Sequence, residues 1–503
     1  MTPTTEWKPA ATTLIDARLN SPLPKVQLPG DNRLLSAFAT EIAKVLKDCG
    51  LYQRGGIAMI VNEQRDGLEI ITSAMLRSLV EKYLVCYRIK GTGGDRITLE
   101  RTMSSEDALG VLSAQQFLSR LPKVNRIATA QLQVMRANGV IELLPDGYDW
   151  ESLTLTLPQC KYETAMSISV ATEVIGELLA EFPFADTGRS KAVAVSSMTG
   201  LYGTGLLPKA ALRPIFIALA NAEGAGKTLL AKCAISPTHG LVKIDGDLKD
   251  NIETAKELLA AVIEARPYIL FDNCKRHINS STLEAFASAV IFKGRILGVS
   301  KTFEGENLTS VFITGNGATV SPDMRRRALF IELFMEDERA EDRRFQRILG
   351  DGVLLDMRPQ ILAALWSLVR EWDQAGRPGP SRTNSAFPQW AEMIGGIVEH
   401  AGYGCPLETA EIPSAADVDG SDMRELVKVL ATEHVKFDTL VDLARTNGLF
   451  ERIIGSDGEL KPSDKSRLGK LLKRYDRRLF TGCRRFVIDG KGHSRTFNVV
   501  VTP

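Results

Sequence analysis

The sequence has little of what marks a disulfide-bonded, zinc-binding or membrane protein. Its seven cysteines, at positions 49, 86, 160, 233, 274, 405 and 483, are scattered and form no CxxC pair. This argues against a disulfide framework and a zinc finger. The five histidines show no ligand spacing. An apolar stretch of about 20 residues and an N-terminal signal pattern are both missing, so we expect no membrane partner and a cytoplasmic location.

An excess of charge of one sign is also missing. The 503 residues carry 62 Lys and Arg against 61 Asp and Glu, a formal net charge of +1. Any surface that binds DNA must therefore be local. A hydrophobic fraction of 44% and a charged fraction of 24% are those of an ordinary soluble protein. This length predicts about two to four domains, each with its own core.

Apolar periodicity and loop composition divide the chain into four regions. Residues 1–155 read as a mixed α/β domain without a catalytic signature, a candidate for oligomerisation or DNA loading. Residues 156–350 alternate strands and helices after a helical lead-in, and residues 351–421 form a helical segment with a linker at 403–421. Residues 422–503 form a small C-terminal domain. The predicted fold class is α/β.

The segment Asn221–Thr228, which reads NAEGAGKT, is the most informative in the chain. It follows an apolar run at 215–220 and precedes a helix-like run at 229–234. Strand, glycine turn, Lys-Thr and helix are the parts of a nucleotide-phosphate cradle. In such a cradle Lys227 reaches the β- and γ-phosphates of ATP, and Thr228 holds Mg²⁺.

The predicted ATP-binding set covers this loop and the residue after it. Gly224 and Gly226 let backbone N–H groups approach phosphate oxygens closely. The alternative is an ordinary strand-to-helix turn, and Asn221 stands where the usual pattern has its first glycine. The whole set is Asn221, Ala222, Glu223, Gly224, Ala225, Gly226, Lys227, Thr228 and Leu229.

An acidic residue follows at a suitable distance. The segment Arg266–Asn273 contains a short apolar strand ending in Asp272, 45 residues after Lys227 (272 − 227). An acid at the carboxyl end of a strand beside the phosphate loop holds Mg²⁺ through water. The alternative, a buried strand with a chance terminal Asp, is common alone and is the minority interpretation beside such a loop.

A predicted hairpin and a predicted sensor strand come next. The β-rich runs at 295–303 and 308–314 flank a glycine-containing turn at 304–307, which indicates a hairpin. The second run leads to Asn316, whose polar side chain could sense the γ-phosphate and position water from the strand beside Asp272.

Three consecutive arginines, Arg325–Arg327, then precede an apolar strand at 328–331. They cannot all serve one site. At least one could reach a nucleotide bound by a neighbouring subunit and stabilise transition-state charge in trans. The alternative is a solvated basic turn.

The order and compact spacing of these motifs resemble those of superfamily 3-like AAA+ helicases, among them replication proteins of phages, integrative elements and satellite islands. The resemblance covers roughly residues 25–350 and includes Leu51–Gly56 and Gly147–Asp149 upstream of the core. The motifs that carry it most strongly are Lys227-Thr228, Asp272-Asn273, Thr314-Gly315-Asn316 and Arg326-Arg327.

The resemblance implies a ring, usually a hexamer, that hydrolyses ATP between subunits while one DNA strand runs through the pore. It implies catalytic roles for Lys227, Asp272, Asn273 and Asn316, with Arg326 or Arg327 acting in trans. A hairpin before the sensor strand grips DNA in such helicases, so Lys301 and the adjacent Thr302 become candidate pore residues. A solvated hairpin lysine is the alternative. A bacterial host is expected.

One departure from the family pattern bears on catalysis. Asn273 stands where a glutamate usually follows the Mg²⁺-supporting aspartate and orients the attacking water. Asn can hydrogen-bond a water molecule but cannot take its proton. Hydrolysis is then either slow or assisted by another acid, for which Glu223, Asp245 and Asp247 are unranked candidates.

The C-terminal region has the local charge that the whole chain lacks. Residues 464–497 contain eleven Lys or Arg and three Asp, an excess of eight positive charges (11 − 3). Two short helices, a third helix at 465–479 capped by Asp464, and a hairpin at 484–500 predict a winged helix-turn-helix on duplex DNA. The alternative is a basic solvated face or a subunit contact. The predicted DNA-binding residues here are Lys470, Lys473, Arg474, Arg477 and, at the wing tip, Lys491.

These patterns favour an ATP-dependent DNA helicase that replicates a mobile element. A second hypothesis is an origin-binding initiator or DNA-linked ATPase switch that does not unwind, which Asn273 mildly favours. A third is an ATP-dependent remodeller of protein partners.

Overall fold

The computed structural model describes residues 23–501 with several internal gaps, and every structural statement below concerns this described part. The gaps are 31–32, 91–96, 187, 249, 275–277, 297–300, 317–319, 336–346, 409–417, 431–433, 456–457, 459, 478, 481–483 and 491–494.

The N-terminal region is built from short strands and four helices among its described residues. Its strands form small sheets in the orders β1-β5-β6, β2-β3-β4, β10-β11-β7 and β8-β9. In chain order the elements are β1 (Lys25–Gln27), α1 (Leu35–Val45), β2 (Leu51–Arg54), β3 (Ile57–Val61), β4 (Leu68–Ile70), α2 (Ser73–Tyr83), β5 (Val85–Lys90), β6 (Ile97–Glu100), α3 (Ser105–Ser113), α4 (Gln115–Leu118), β7 (Arg126–Ala128), β8 (Gln133–Met135), β9 (Ile141–Leu143), β10 (Gly147–Asp149) and β11 (Thr154–Thr156).

The central region is organised around a parallel sheet of four strands in the order β13-β16-β12-β17. Its elements are α5 (Ile168–Leu179), α6 (Arg189–Tyr202), β12 (Ile215–Ala220), α7 (Lys227–His239), α8 (Asn251–Ile263), β13 (Tyr268–Cys274), α9 (Ser281–Ala287), β14 (Ile291–Arg295), β15 (Thr302–Glu306), β16 (Ser310–Asn316), α10 (Pro322–Arg325), β17 (Ala328–Leu333) and α11 (Asp351–Gln374).

Helices cover both faces of this sheet, which explains why its strands are continuous apolar runs. All six residues of β12 and all six of β17 are buried. One face packs with α5, α6, α7 and α11, and the other with α8 and α9. The predicted α/β class is therefore confirmed at this level, as a mixed α/β fold with a parallel sheet.

The hairpin predicted from residues 295–314 is wrong in its register. The hairpin pairs β14 with β15, and residues 304–306 lie inside β15 instead of in a turn. A Cβ on Gly305 would lie 2.6 Å from Cζ of Phe303, so this glycine makes room for a ring. The second predicted arm belongs to β16, which pairs with β12 and β13 in the central sheet.

Two buried arginines tie the N-terminal region to the centre. Arg54 donates from Nε to the carbonyl oxygen of Val262 at 2.9 Å and from Nη1 to that of Asn125 at 2.7 Å. Arg358 on α11 donates to the carbonyl oxygen of Pro237 at 2.8 Å and to Oγ1 of Thr129 at 2.8 Å. These bonds satisfy buried acceptors on both sides and join the two regions.

The helix α11 is the one described helix whose length and apolar character would suffice to cross a membrane. Of its most apolar stretch, 61% is buried inside the protein, as in the core helix of a soluble fold. It is followed by α12 (Pro388–Trp390), a π-helical turn at Ala391–Gly395, and α13 (Gly396–His400).

The C-terminal region packs its helices on an antiparallel sheet of order β18-β21-β20-β19 around a separate apolar cluster. The helix α14 begins at Val418, inside the segment 403–421 interpreted as linker. The elements are α14 (Val418–Val429), β18 (Val435–Lys436), α15 (Phe437–Thr446), α16 (Glu451–Ile454), α17 (Pro462–Arg474), β19 (Leu479–Phe480), β20 (Arg484–Asp489) and β21 (Thr496–Val501).

The predicted basic helix is shifted toward the N-terminus, because it begins at Pro462 and ends at Arg474. Its N-cap is Lys461, with Pro462 at the first turn, so Asp464 lies within that turn and is not the cap. The helix ends at Arg474, and Arg477 has a positive φ of 58°, outside the helix. Its apolar face is as predicted, with Leu468, Leu471, Leu472 and Tyr475 buried.

Candidate functional site

The loop between β12 and α7 has the backbone that a phosphate cradle needs. Gly224 and Gly226 have φ values of 76° and 90°, a left-handed conformation in which glycine is unstrained. A Cβ on Gly226 would also lie 3.2 Å from Cε1 of Phe182. Directly after it, α7 begins at Lys227 and runs for 13 residues. The unpaired N–H groups of this helix start therefore lie at the loop.

Asn221 has a structural role that explains its place at the start of the loop. Its side-chain amide donates to the carbonyl oxygen of Met335 at 2.8 Å, and its Oδ1 accepts from the N–H of Met335 at 2.9 Å. The paired bonds fasten the loop to the chain just after β17. A glycine could not make them.

Lys227 lies beneath the loop with its side chain turned inward. It is 7% exposed, and Nζ donates to the carbonyl oxygen of Ala222 at 3.2 Å. Burial lowers the pKa of this amine, while the carboxylates of Asp272 and Glu223 act in the opposite direction. A partly desolvated cation with one weak acceptor is suited to bind a phosphate oxygen.

A hydroxyl–carboxylate network joins the loop to the neighbouring strands. Oγ1 of Thr228 donates to Oδ1 of Asp272 at 2.7 Å. Thr314 on β16 donates to the same carboxylate oxygen and accepts from the N–H of Asn273 at 2.9 Å. From the sequence, Thr314 belonged to the Thr314-Gly315-Asn316 motif but had no predicted role of its own. Its position two residues before Asn316 on one strand is the signal that places it at the same sheet edge.

Asn316 ends the strand that lies between the loop strand and the acid strand. The register pairs Ala220 with Asn316, and β16 pairs with β13 on its other side. Oδ1 of Asn316 is buried and has no hydrogen-bond partner among the residues that the structure describes. An orphaned acceptor of this kind is costly unless a ligand or water completes it.

Asn273 occupies a strained position in β13. Its φ is 59°, and the register of β13 with β16 shifts between Phe271 and Cys274. Asn tolerates this conformation better than most residues. Its side chain is exposed.

Two of the three acids that could assist a water molecule have different surroundings in the structure. Asp245 accepts two bonds from Arg266, at 2.7 and 2.8 Å, and one from the N–H of Leu270 at 3.0 Å, so it serves packing. Asp247 is exposed and follows Gly246, whose carbonyl oxygen accepts from the N–H of Asp272 at 2.7 Å.

Arg326 and Arg327 lie at the amino ends of the sheet strands (the amino edge), opposite the carboxyl ends where the loop lies (the carboxyl edge). The parallel register pairs Ile215 with Ala328 at one end and Ala220 with Leu333 at the other, five steps or about 17 Å apart. The side chain of Arg326 is 72% exposed and pairs with Asp323 on the same short turn. Arg327 donates from Nε to Oγ of Ser288 at 2.8 Å.

The remaining predicted residues do not join this site. Lys301 and Thr302 are exposed where β15 begins. Thr302 pairs with Arg295 on β14, an exposed basic residue that was not among the predicted DNA-binding residues. Lys470 and Lys473 are exposed on α17, which Arg474 ends. The backbone N–H of Arg477 donates to the carbonyl oxygen of Phe486 at 2.7 Å. Lys491 lies outside the described residues.

The residues at the carboxyl edge of the sheet fit a nucleotide triphosphate with Mg²⁺. The glycine conformations and the free N–H groups suit phosphate oxygens, and the Thr228–Asp272 pair offers the oxygen ligands that Mg²⁺ prefers. The class defined by fold and site is a mixed α/β protein with a glycine loop, a lysine and a hydroxyl–carboxylate pair at one sheet edge.

No protein-family model and no curated protein matches the sequence. Among solved structures, the apo C-terminal region of NrS-1 is 12% identical, with a TM-score of 0.39 over 92% of this chain and 99% of that chain. SCCmec type IV Cch, described as an active helicase, is 9% identical, with a TM-score of 0.30 over 90% and 97%. JCV helicase is 15% identical, with a TM-score of 0.21 over 48% and 76%. These likenesses are loose and do not define a function for this chain.

Proposed function

We propose that this protein is an ATP-driven, ring-forming DNA helicase of the AAA+ type that replicates a mobile genetic element. The observation that carries the proposal is the bond of 2.7 Å between Thr228 and Asp272 beside a lysine-bearing glycine loop. In this assignment ATP supplies the free energy for movement, Lys227 holds its phosphates, and Thr228 and Asp272 hold Mg²⁺.

The positions of the arginines support hydrolysis between subunits. Arg326 lies about 17 Å of strand away from the loop of its own chain, so it cannot serve that loop. A second copy that presents its arginine edge to the first copy's loop would complete the site. Repetition of this head-to-tail contact closes into a ring, for which we propose a hexamer.

Two basic surfaces support DNA as the partner. The β14–β15 hairpin presents Lys301, Thr302 and Arg295 at its exposed end, where a single strand in the pore would pass. In the C-terminal region, Lys470 and Lys473 lie on the exposed side of α17, before the antiparallel strands that we assign as the wing of a winged helix on duplex DNA. A location in the bacterial cytoplasm belongs to the same proposal.

The test is Lys227→Ala in ATPase and strand-displacement assays on forked DNA. Loss of both activities is expected because the amine that binds the phosphates is gone. Lys232→Ala on the same helix is the matched control, since Lys232 pairs with Asp351 at 2.9 Å away from the loop. Unwinding that survives Lys227→Ala would sink the assignment.

A second candidate function is a DNA-linked ATPase switch, or an origin-binding initiator, that does not unwind. Asn273 favours it, because Asp272 is followed by an amide side chain and not by a carboxylate. Turnover stimulated by DNA without strand displacement would select this function over the helicase.

A further inference from the structure

Three aromatic side chains form a row that ends in an exposed indole on the N-terminal region. The ring centroids of Tyr52 and Tyr148 are 5.9 Å apart, and those of Tyr148 and Trp150 are 4.8 Å apart with the planes nearly perpendicular. Trp150 is 70% exposed. An indole held at one edge by another ring, with most of its surface in water, is a ready partner for a further flat group.

The acidic side chains beside this aromatic row are hydrogen-bonded to Arg136. Arg136 donates to both carboxylate oxygens of Asp149 at 3.0 Å and to Glu151 at 3.3 Å. Burial opposes ionisation of Asp149, but the bonds from Arg136 and Ser152 outweigh it and lower the pKa of Asp149 to about 2. Arg136 also donates to Glu142 at 2.6 Å, so its single charge offsets part of the charge of these acids. The two acids that alternate with the aromatic residues are bound to Arg136 and not to the rings.

The inner rings are fixed in place. The hydroxyl of Tyr148 donates to the carbonyl oxygen of Lys123, whose own side chain is exposed. Burial raises the pKa of Tyr52 to about 12, with Arg65 acting in the opposite direction from nearby. The row therefore has a rigid floor, one outward-facing indole and a lysine within reach, the combination found where single-stranded nucleic acid is stacked and neutralised.

The aromatic row is joined to the hairpin that carries Lys301. Two residues after Tyr52, Arg54 donates from Nη2 to the carbonyl oxygen of Glu306 at the base of that hairpin, at 3.3 Å. A Cβ on Gly55 would lie 2.5 Å from Cε2 of Phe303, so the turn after β2 packs directly on β15. A strand gripped at the hairpin can continue to the rings on one rigid unit.

We propose that Trp150, supported by Tyr148 and Tyr52, stacks a base of single-stranded DNA as a second contact beside the hairpin. The inference rests on the proposed action on DNA and adds a site to it. Stacking on an indole needs only the face of a base, so the contact is indifferent to sequence. Lys123 neutralises an adjacent phosphate.

The test is the affinity of the full chain for a labelled oligothymidylate, measured by fluorescence anisotropy. Trp150→Ala is expected to weaken binding about tenfold, and Trp150→Phe to restore most of the loss because it keeps a ring. Leu109→Ala, at a side chain 57% exposed on α3, is the matched control and leaves binding unchanged. On an oligonucleotide of equal length with abasic sites, wild type and Trp150→Ala should bind equally.

Three outcomes overturn the inference. Equal affinity of wild type and Trp150→Ala for oligothymidylate removes the stacking contact. An equal loss on abasic DNA assigns the effect to something other than a base. A change in sedimentation of Trp150→Ala without a change in DNA affinity makes the rings a contact between copies of the chain. Trp150-dependent DNA binding in a protein without ATPase activity would keep this inference while the proposed function fails.

Discussion

The two edges of the central sheet differ in how complete they are. At the carboxyl edge, Thr228 and Thr314 both donate to Asp272, and Asn221 fastens the loop to Met335. At the amino edge, Arg326 is 72% exposed and is paired with Asp323, itself 61% exposed. An exposed pair of this kind contributes little to stability. The difference teaches that the carboxyl edge is bonded internally, as the proposed ATP site requires, whereas the amino edge presents an exposed side chain suited to act on another molecule.

The largest effect is expected from removing the exposed edge. Arg326→Ala with Arg327→Ala should lower ATP turnover by about 10³-fold, because arginines that act in trans contribute this much to phosphoryl transfer. ATP binding, measured with a fluorescent analogue, should remain, since the loop of the same chain is untouched. Arg382→Ala, at another exposed arginine, is the control. Unchanged turnover in the double variant would make the amino edge a solvated turn.

A smaller effect, of opposite sign, is expected at Asn273. Asn273→Glu supplies a carboxylate beside Asp272 and should raise turnover about tenfold if proton transfer limits hydrolysis. The positive φ of 59° adds a cost in stability of roughly 1 kcal/mol for a residue other than Asn or Gly. Asn273→Gln carries the same side-chain length without the charge. Equal turnover in the Glu and Gln variants would show that the carboxyl edge already has its acid, with Glu223 and Asp247 the candidates.

The two edges can be compared most finely with one matched pair of threonines. Thr314→Val removes the bonds to Asp272 and Asn273 at the carboxyl edge, whereas Thr309→Val removes the bond to the carbonyl oxygen of Arg266, 2.8 Å long, at the amino edge. Both side chains are buried, so each variant should lower the free energy of unfolding by about 1–3 kcal/mol. Only Thr314→Val should also lower turnover. Equal turnover in the two would remove Thr314 from the site.

The carboxyl edge was largely predictable from sequence because its signals are local. The glycines before Lys227, the apolar run before Asp272 and the apolar run before Asn316 can each be read within a few residues. The fastening of Asn221 to Met335 was not, because it joins residues 114 apart in the chain (335 − 221). Nor was the partner of Thr314, which depends on strand order.

The hairpin shows why a local signal can mislead. Gly305 was interpreted as a turn residue, but it lies in β15 beside Phe303, and Gly294 on the paired strand lies against Leu259. At both positions a glycine is needed because a bulky side chain packs against the backbone there. The sequence pattern alone does not distinguish such a glycine from one that forms a turn. A similar limit applies to Arg477. It was predicted to lie on the basic helix, but it follows the end of α17 and has a positive φ.

The central claim is that the two edges of different copies form one site, and a mixing experiment tests it most directly. Lys227→Ala has an intact arginine edge, and the Arg326→Ala/Arg327→Ala variant has an intact loop. Each alone should be inactive, and after subunit exchange the mixture should hydrolyse ATP because some interfaces join an intact loop to intact arginines. A mixture no more active than the sum of its two components would contradict the account.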